Sequence, residues 1–477
     1  MISIDKLPDD VLLAIFDFCL EHDSGTDDPY SPGMAWVSLA HVCRRWRSVV
    51  FGSPCRLDLQ LVCMEKTPAR DTLDIWPPLP LQIWNRGRLF ENMDNIIAVL
   101  ERGDRLYKIF LTSITRSHLE TVVAAMQKPF PDLTVVILCL YDETVPPALP
   151  DSFLGGSAPP LRNLWLDGIP FPGLPKLLLS ATRLRYLCLQ DIPHSGYFSP
   201  NEMVTALSTL TSLESLQLEF QSPRSRPDHS SRRPPPPTRS VLSSLIELCF
   251  KGVCEYLDDI VAPIDAPQLD KMDITFFNDI VFDTFQFTQF ISRTPTLKPL
   301  KKARLYFDAT AVSLISEISD SRPWRRKGLR MKVLCRELDW QVSSLEQVCT
   351  SSSPQLSVLE DLYIFNVPSY PQPDWKDNIE NAVWLGMLQL FSTVKNIYIS
   401  EKFALRIVPA LQELIGGGVT EVLPALQNMF LEEPQPSGRI QEGIHQFVAM
   451  RQATGHPVAV SRWDRDQGGT LVGTLVY

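Results

Sequence analysis

The cysteines and histidines of this sequence are candidates for a chemical role, because thiols and imidazoles can serve as nucleophiles and metal ligands. The stretch "HVCRRW" places His41 two residues before Cys43, next to two arginines and a tryptophan. A cysteine nucleophile needs a base that a third group orients, and the surrounding sequence supplies no such group. We therefore interpret Cys43 as a small packed side chain, and Arg44, Arg45 and Arg47 as solvated charge around an apolar helix.

The spacing of the other cysteines is not that of a metal site. The ten cysteines are spread along the chain without a C-x-x-C pair, and the closest two, Cys249 and Cys254, have no histidine nearby. The sequence also lacks a phosphate loop, a G-x-S-x-G elbow and an H-E-x-x-H helix. We predict no metal, no cofactor and no catalytic residues, and hence no enzyme. An enzyme site assembled from distant residues is the alternative, which turnover by the purified chain would establish.

The charge balance and the apolar runs limit the classes of partner. Among 477 residues, 45 are basic and 55 are acidic, giving a net charge of −10. An acidic chain argues against general nucleic-acid binding. No apolar run approaches a membrane span, and the first residues lack the basic region of a secretory signal. We therefore expect no nucleic-acid partner, no membrane partner and a location in the cytoplasm, the nucleus or both.

Two short apolar segments near the start predict helices with more apolar surface than they can bury together. In "LPDDVLLAIFDFCL", Pro8 suits a helix start, and the following acidic residues complement the helix dipole. A second segment, "MAWVSLAHVCRRWRSVVF", has apolar residues at three- and four-residue spacing. Some fifty residues in three short helices cannot cover all of these side chains, so part of the surface should meet a partner.

Together these two segments resemble an F-box, the three-helix motif that docks on a Skp-type adaptor. The resemblance covers residues 4–54, and Asp10 stands where glutamate is commoner in the family. The continuation after residue 52 is similar to that of F-box proteins of mushroom-forming fungi. The resemblance implies that the adaptor contacts Leu7, Pro8, Val11, Leu12, Ile15, Leu39, Val42 and Trp46.

Beyond residue 100 the sequence repeats a short leucine pattern. "LRNLWL" (161–166), "LRYLCL" (184–189) and "LESLQL" (213–218) fit L-x-x-L-x-L, and looser matches continue from 106 to 431. A period of about 23–35 residues resembles leucine-rich repeats. The predicted fold is therefore α/β: an F-box at 1–54, then an irregular solenoid at 55–477, with parallel strands on its concave side and helices on its convex side. An ordinary α/β domain with a few leucine-rich strands is the alternative.

One segment interrupts the repeats. Residues 222–240, "SPRSRPDHSSRRPPPPTRS", contain five arginines and six prolines and no residue that we expect in a core. A segment of this composition buries too little apolar surface to offset the entropy lost when it becomes ordered. We predict a disordered insertion there.

The resemblance also implies separate roles for the F-box and the repeats. The F-box would tether the chain to a Skp-type adaptor, and through it to a cullin ubiquitin ligase, while the repeats hold an unknown protein substrate for degradation. A scaffold without a degradative role is the alternative, and the sequence does not separate the two.

The fifth position of each hexapeptide should face away from the helices, because strand side chains alternate. We propose from the sequence that aromatic residues on or near this row bind the substrate: Phe110, Trp165, Tyr186, Tyr363, Tyr398 and Phe430. Such a large apolar row is typical of an interaction surface. Two alternatives are a register that is off by one in some repeats and a cover provided by another part of the chain, such as "HPVAVSRW" near the C-terminus.

Overall fold

The chain forms two compact units, residues 1–198 and 199–477. The computed structural model describes residues 7–23, 35–54, 56–57, 59–74, 78–85, 93–141, 146–227, 238–278, 284–297, 301–318, 327–351, 356, 358–366, 380–414, 421–432, 438–463 and 473–474. The division between the units lies inside the region for which the sequence predicted one solenoid. Among the described residues, no helix is both long and apolar enough to span a membrane.

The first unit begins with helices and continues as alternating strands and helices. Its helices are α1 (Asp9–Asp23), α2 (Ala35–Val42), α3 (Arg44–Gly52), α4 (Ala69–Thr72), α5 (Asp94–Glu101), α6 (Arg116–Ala125) and α7 (Leu174–Leu178). Its strands are β1 (Leu61–Cys63), β2 (Leu81–Asn85), β3 (Leu106–Ile114), β4 (Val135–Leu140), β5 (Asn163–Asp167) and β6 (Tyr186–Ile192). Consecutive strands pair in parallel from β1 to β6.

The second unit has the same alternation over a longer stretch. Its helices are α8 (Pro200–Leu207), α9 (Cys254–Val261), α10 (Phe285–Arg293), α11 (Leu338–Ser351), α12 (Asn381–Gln389), α13 (Glu401–Glu413) and α14 (Gly438–Ala453). Its strands are β7 (Ser215–Phe220), β8 (Ser240–Val241), β9 (Glu247–Gly252), β10 (Ile264–Asp265), β11 (Lys271–Phe277), β12 (Lys302–Phe307), β13 (Ala311–Ile318), β14 (Lys327–Leu334), β15 (Asp361–Asn366), β16 (Asn396–Ile399), β17 (Asn428–Leu431), β18 (Ala459–Trp463) and β19 (Gly473–Thr474).

The leucine pattern marks the strands and their buried face. In each unit the fourth and sixth hexapeptide positions stack in register, as Leu164 with Leu187 and Leu166 with Leu189. These four side chains are at most 3% exposed. A parallel sheet with helical connections needs this continuous apolar row, because the connecting helices cover it. The predicted mixed α/β architecture, with a helical N-terminus and a long run of parallel strands, is confirmed.

From β14 through β13 to β12 the strand order of the second unit runs against the chain order, which the repeat pattern did not predict. Strands β7, β9, β11 and β14 pair in parallel, then β13 pairs antiparallel with both β14 and β12. From β12 the order continues in parallel through β15, β16, β17 and β18. A tight turn permits the reversal: the backbone N–H of Thr310 donates to Asp308 Oδ1 over 2.6 Å.

The reversal also shifts the register of one predicted repeat. In the looser match "MKVLCR" (331–336), the fifth and therefore outward position is Cys335, but this residue is buried just after β14. The buried residues of β14 are Leu329, Met331 and Val333, so its outward row contains Arg330 instead. The predicted register of this repeat is therefore wrong, because Arg330, which pairs with Asp273 on β11, lies five residues before Cys335.

The ends of the predicted disordered insertion are packed. Ser225 and Pro227 are buried, and the Arg226 guanidinium lies 3.7 Å from the Glu255 carboxylate. Ser240 already belongs to β8, which pairs with β10. The prediction for 222–240 is thus wrong at both ends, and its central part, 228–237, lies outside the described residues.

Candidate functional site

Helices α1 to α3 share a small core. Leu12 and Phe16 on α1 and Val50 on α3 are fully buried, and the Phe16 ring lies 4.8 Å from that of Trp46. This core takes one side of α1, because its buried residues are four positions apart. The other side of α1 carries further apolar residues.

Cys43 caps the last of these helices. Its backbone is extended, and its Sγ accepts a hydrogen bond from the backbone N–H of Trp46 over 3.4 Å. This geometry satisfies one of the N–H groups that have no partner within the helix. Cys43 therefore serves as a helix cap, a role that the sequence analysis missed when it interpreted this thiol as packed.

Two of the nearby arginines hold the helices together. Arg45 donates from Nη2 to the Leu7 carbonyl and, over 2.7 Å, to Asp9 Oδ1 at the start of α1. Arg47 donates from Nε to the Ala40 carbonyl over 3.0 Å. The interpretation of these two side chains as merely solvated charge is wrong, because each ties α3 to another part of the motif.

An apolar stripe lies on the surface of α1. Val11, Ile15 and Phe18 are 39%, 37% and 60% exposed, and their spacing of four and three residues places them on one helix face. Val42, the last residue of α2, is 58% exposed. We call these four residues, three on α1 and one at the end of α2, the apolar stripe. Their exposure matches the expectation that the helices have more apolar surface than their own core can bury.

The predicted adaptor-contacting residues divide into three groups. Pro8, Val11, Ile15 and Val42 are exposed, while Leu7, Leu39 and Trp46 are half-buried. Leu12 is fully buried in the core between the helices, so its assignment to the contact surface is wrong. Phe18 was missed, although its distance of seven residues from Val11 indicates the same helix face.

Comparison with known proteins identifies this region. Residues 4–54 match the F-box-like family model, so the helical N-terminus is an F-box-like domain. F-box domains generally bind Skp-type adaptors, and the domain supports a general adaptor role in a ubiquitin ligase. No curated protein matches the chain.

The outward row of the first unit is mixed in exposure. Phe110 is buried and stacks on Trp84 with ring centroids 4.3 Å apart. Trp165 is half-buried, and its indole Nε1 is buried without a hydrogen-bond acceptor. Tyr186 is 43% exposed. Of the predicted substrate-contacting residues in this unit, Tyr186 and Trp165 thus present surface, whereas Phe110 is packed.

The outward row of the second unit forms a stacked aromatic ladder. Tyr363 and Tyr398 stack at 4.2 Å and 6°, and Tyr398 and Phe430 at 4.5 Å and 7°. Trp463 lies against the ladder, 5.7 Å from Tyr398 and 6.1 Å from Tyr363. Such contacts stabilise a cluster beyond its area burial.

Trp463 covers part of the face that we predicted to bind the substrate, so the prediction is corrected there. Tyr398 is 4% exposed and Tyr363 is 9% exposed, and burial raises the pKa of both phenols. The segment "HPVAVSRW" therefore covers these residues, as one of the alternatives anticipated. Tyr363 and Tyr398 are part of a small core, and the half-buried Phe430 lies at its edge.

A polar ladder accompanies the aromatic one. Asn428 donates from Nδ2 to Asn396 Oδ1 over 2.7 Å, and Asn396 donates from Nδ2 to Asp361 Oδ1 over 2.6 Å. Lys302 Nζ lies 3.5 Å from the other oxygen of Asp361. These bonds fix the register of β12, β15, β16 and β17 on the face that carries the aromatic residues.

Burial raises the pKa of several cysteine thiols. Burial raises the pKa of Cys63 to about 11 and that of Cys349 to about 12. Burial, together with Glu247 and Asp273, raises the pKa of Cys249 to about 12. Reactive thiols need the opposite shift.

Proposed function

We propose that this chain is the substrate-recognition subunit of a Skp–cullin–F-box ubiquitin ligase. Its F-box-like domain docks on the Skp-type adaptor, the adaptor links it to the cullin, and the strand–helix repeats hold the substrate protein. In this proposal the chain carries no catalytic residue, cofactor or metal, because ubiquitin transfer belongs to other subunits. Its place of action is the cytoplasm, the nucleus or both.

The apolar stripe supports the docking half of the proposal. Val11, Ile15, Phe18 and Val42 expose apolar side chains within the domain that matches the family model. Burying one such side chain contributes about 1.5–3 kcal/mol, so four of them supply a large part of a stable interface. Val11, Ile15 and Phe18 lie on one helix face, and an exposed apolar patch of this kind is typical of protein-binding sites.

The strand–helix repeats support the substrate half. We propose that they form an irregular leucine-rich-repeat solenoid, with the face opposite the helices as the substrate side. The register of the hexapeptides supports a repeat, because their apolar positions stack from strand to strand within each unit. Trp165 and Tyr186 remain the proposed aromatic contacts in the first unit.

Co-expression of the full chain with a Skp-type adaptor tests the proposal. We expect the two proteins to co-elute, and a cullin to join the complex only when the adaptor is present. A chain that stays monodisperse and folded but elutes without the adaptor would contradict the docking role.

A scaffold without a degradative role is the second candidate function. It uses the same adaptor contact, so the two differ in the fate of the captured protein. Under the degradative proposal, the bound protein accumulates when the proteasome is inhibited and when Val42→Asp replaces the wild-type chain. An abundance that responds to neither would favour the scaffold.

A further inference from the structure

The strand reversal in the second unit brings cationic residues onto one face of the sheet. Arg304 on β12 pairs with Ile315 on β13, which pairs with Arg330 on β14. Two residues further along the strands, and so on the same face, Ser313 pairs with Lys332. Side chains at paired positions share a face. The neighbouring positions, which point to the other face, are at most 3% exposed: Leu305, Leu314 and Met331.

We call Arg304, Arg330 and Lys332 the cationic patch. All three are half-buried, and Ile315 beneath them is 8% exposed, as expected when long cationic side chains cover an apolar residue. The two arginines lie two strands apart, which places their Cα atoms about 10 Å from each other.

Few carboxylates neutralise this patch. Arg330 Nη1 lies 3.4 Å from Asp273 Oδ2, and its buried Nε has no hydrogen-bond acceptor. In the part of the chain that the structure describes, no carboxylate lies within ion-pair distance of Arg304 or Lys332. The patch therefore has an excess of positive charge on a chain whose net charge is −10.

An aromatic ring orients one of the cations. The Arg304 guanidinium lies 5.9 Å from the centre of the Tyr363 ring, within the range of a cation–π contact. Tyr363 is itself fixed by stacking on Tyr398. A guanidinium held in this way loses little freedom when it binds a carboxylate, and its planar fork suits bidentate contact.

We propose that the cationic patch binds an acidic segment, rich in Asp or Glu, of the protein that this chain recruits. The proposal rests on the proposed function, because it specifies how this chain would bind the substrate protein. The argument for an acidic partner is charge complementarity. Three cationic side chains share one face beside a rigid aromatic cluster, and Asp273 lies near only one of them. Arg304 and Arg330 donate hydrogen bonds to carboxylates of an extended segment, while Lys332 and the Ser313 hydroxyl contact a neighbouring residue.

Fluorescence anisotropy with a labelled ten-residue glutamate peptide and the full chain tests this proposal. We expect saturable binding that weakens as salt increases, since screening reduces contacts between half-exposed charges. Arg304→Gln combined with Lys332→Gln should weaken binding about tenfold. The matched control is Arg116→Gln combined with Lys176→Gln, which removes the same charge from exposed positions of the first unit and should leave binding unchanged.

Three outcomes would overturn the proposal. They are no binding of the glutamate peptide, equal loss of binding in both double variants, and binding only of a phosphoserine peptide that lacks carboxylate side chains. Adaptor co-elution is measured for the same proteins. If the peptide fails to bind while the adaptor still co-elutes, the acidic segment is wrong and the proposed function stands. If the adaptor fails to co-elute, the proposed function is wrong.

Discussion

Cys43 and Trp46 are joined by a hydrogen bond in which the Trp46 backbone N–H donates to the Cys43 sulfur over 3.4 Å. This bond starts α3 and fixes the point from which the Trp46 ring reaches Phe16, 4.8 Å away. A sequence that suggests thiol chemistry thus encodes a helix cap within a docking motif.

The cap predicts opposite effects for two substitutions. Serine is a better cap than sulfur, so Cys43→Ser should keep or slightly raise the free energy of unfolding. Cys43→Ala removes the acceptor and should lower that free energy by about 0.5–1 kcal/mol. Urea unfolding followed by tryptophan fluorescence measures both. Equal stability of the two variants would contradict the capping role.

Trp463 should stabilise the second unit. Its side chain packs against Tyr363, Tyr398 and Phe365 and is only 6% exposed. Trp463→Ala should therefore lower the free energy of unfolding by about 3–5 kcal/mol. Trp340, which is 47% exposed, supplies the control, and Trp340→Ala should cost less than about 1 kcal/mol. If the two variants unfolded at the same denaturant concentration, the aromatic ladder would not be a core.

Pro227 tests the packed end of the insertion. This residue is buried, whereas Pro223 four residues earlier is exposed. Pro227→Asp places a charge where water is excluded and should destabilise the chain by about 2 kcal/mol or more. Pro223→Asp should change stability by less than about 0.5 kcal/mol. Thermal melts of the two variants that coincide would show that residues 225–227 contribute nothing to the fold.

Cys349 predicts a loss of stability in alkali. Burial raises the pKa of its thiol from 9.0 to about 12, so folding favours the protonated form. This contribution is complete below pH 9 and is lost as pH rises from 9 to about 12, at about 1.4 kcal/mol per pH unit. Cys349→Ala removes it and should make stability fall less steeply between pH 9 and 10.5. Parallel pH dependence of the two proteins would contradict the assignment.

The periodic parts of the fold could be predicted from the sequence. Leucines at hexapeptide positions such as Leu164 and Leu187 indicated strands and their buried face, because a covered parallel sheet requires apolar residues there. Ser199 and Glu202 have the residue types and spacing of a capping box, and the reciprocal hydrogen bonds are present at the start of α8.

Non-local relationships were not predictable in the same way. Strand β13 has no hexapeptide of its own, and its antiparallel pairing moves Arg330, not Cys335, into the outward row. Local periodicity does not show that Trp463 covers Tyr398, about 65 residues earlier in the chain. On α1, the apolar residues nearly encircle the helix, so spacing alone did not separate the buried Leu12 from the exposed Val11.

The most direct test of the account is the affinity of the full chain for a Skp-type adaptor, measured by calorimetry. Val11→Asp combined with Val42→Asp alters two residues of the apolar stripe that are 39% and 58% exposed, so the fold should persist. Loss of two apolar contacts at about 1.5–3 kcal/mol each predicts at least a hundredfold weaker binding. The matched control, Leu179→Asp, changes an apolar residue that is 47% exposed elsewhere in the first unit and should bind like wild type. Wild-type affinity in the double variant, with its melting temperature unchanged, would contradict docking through this surface.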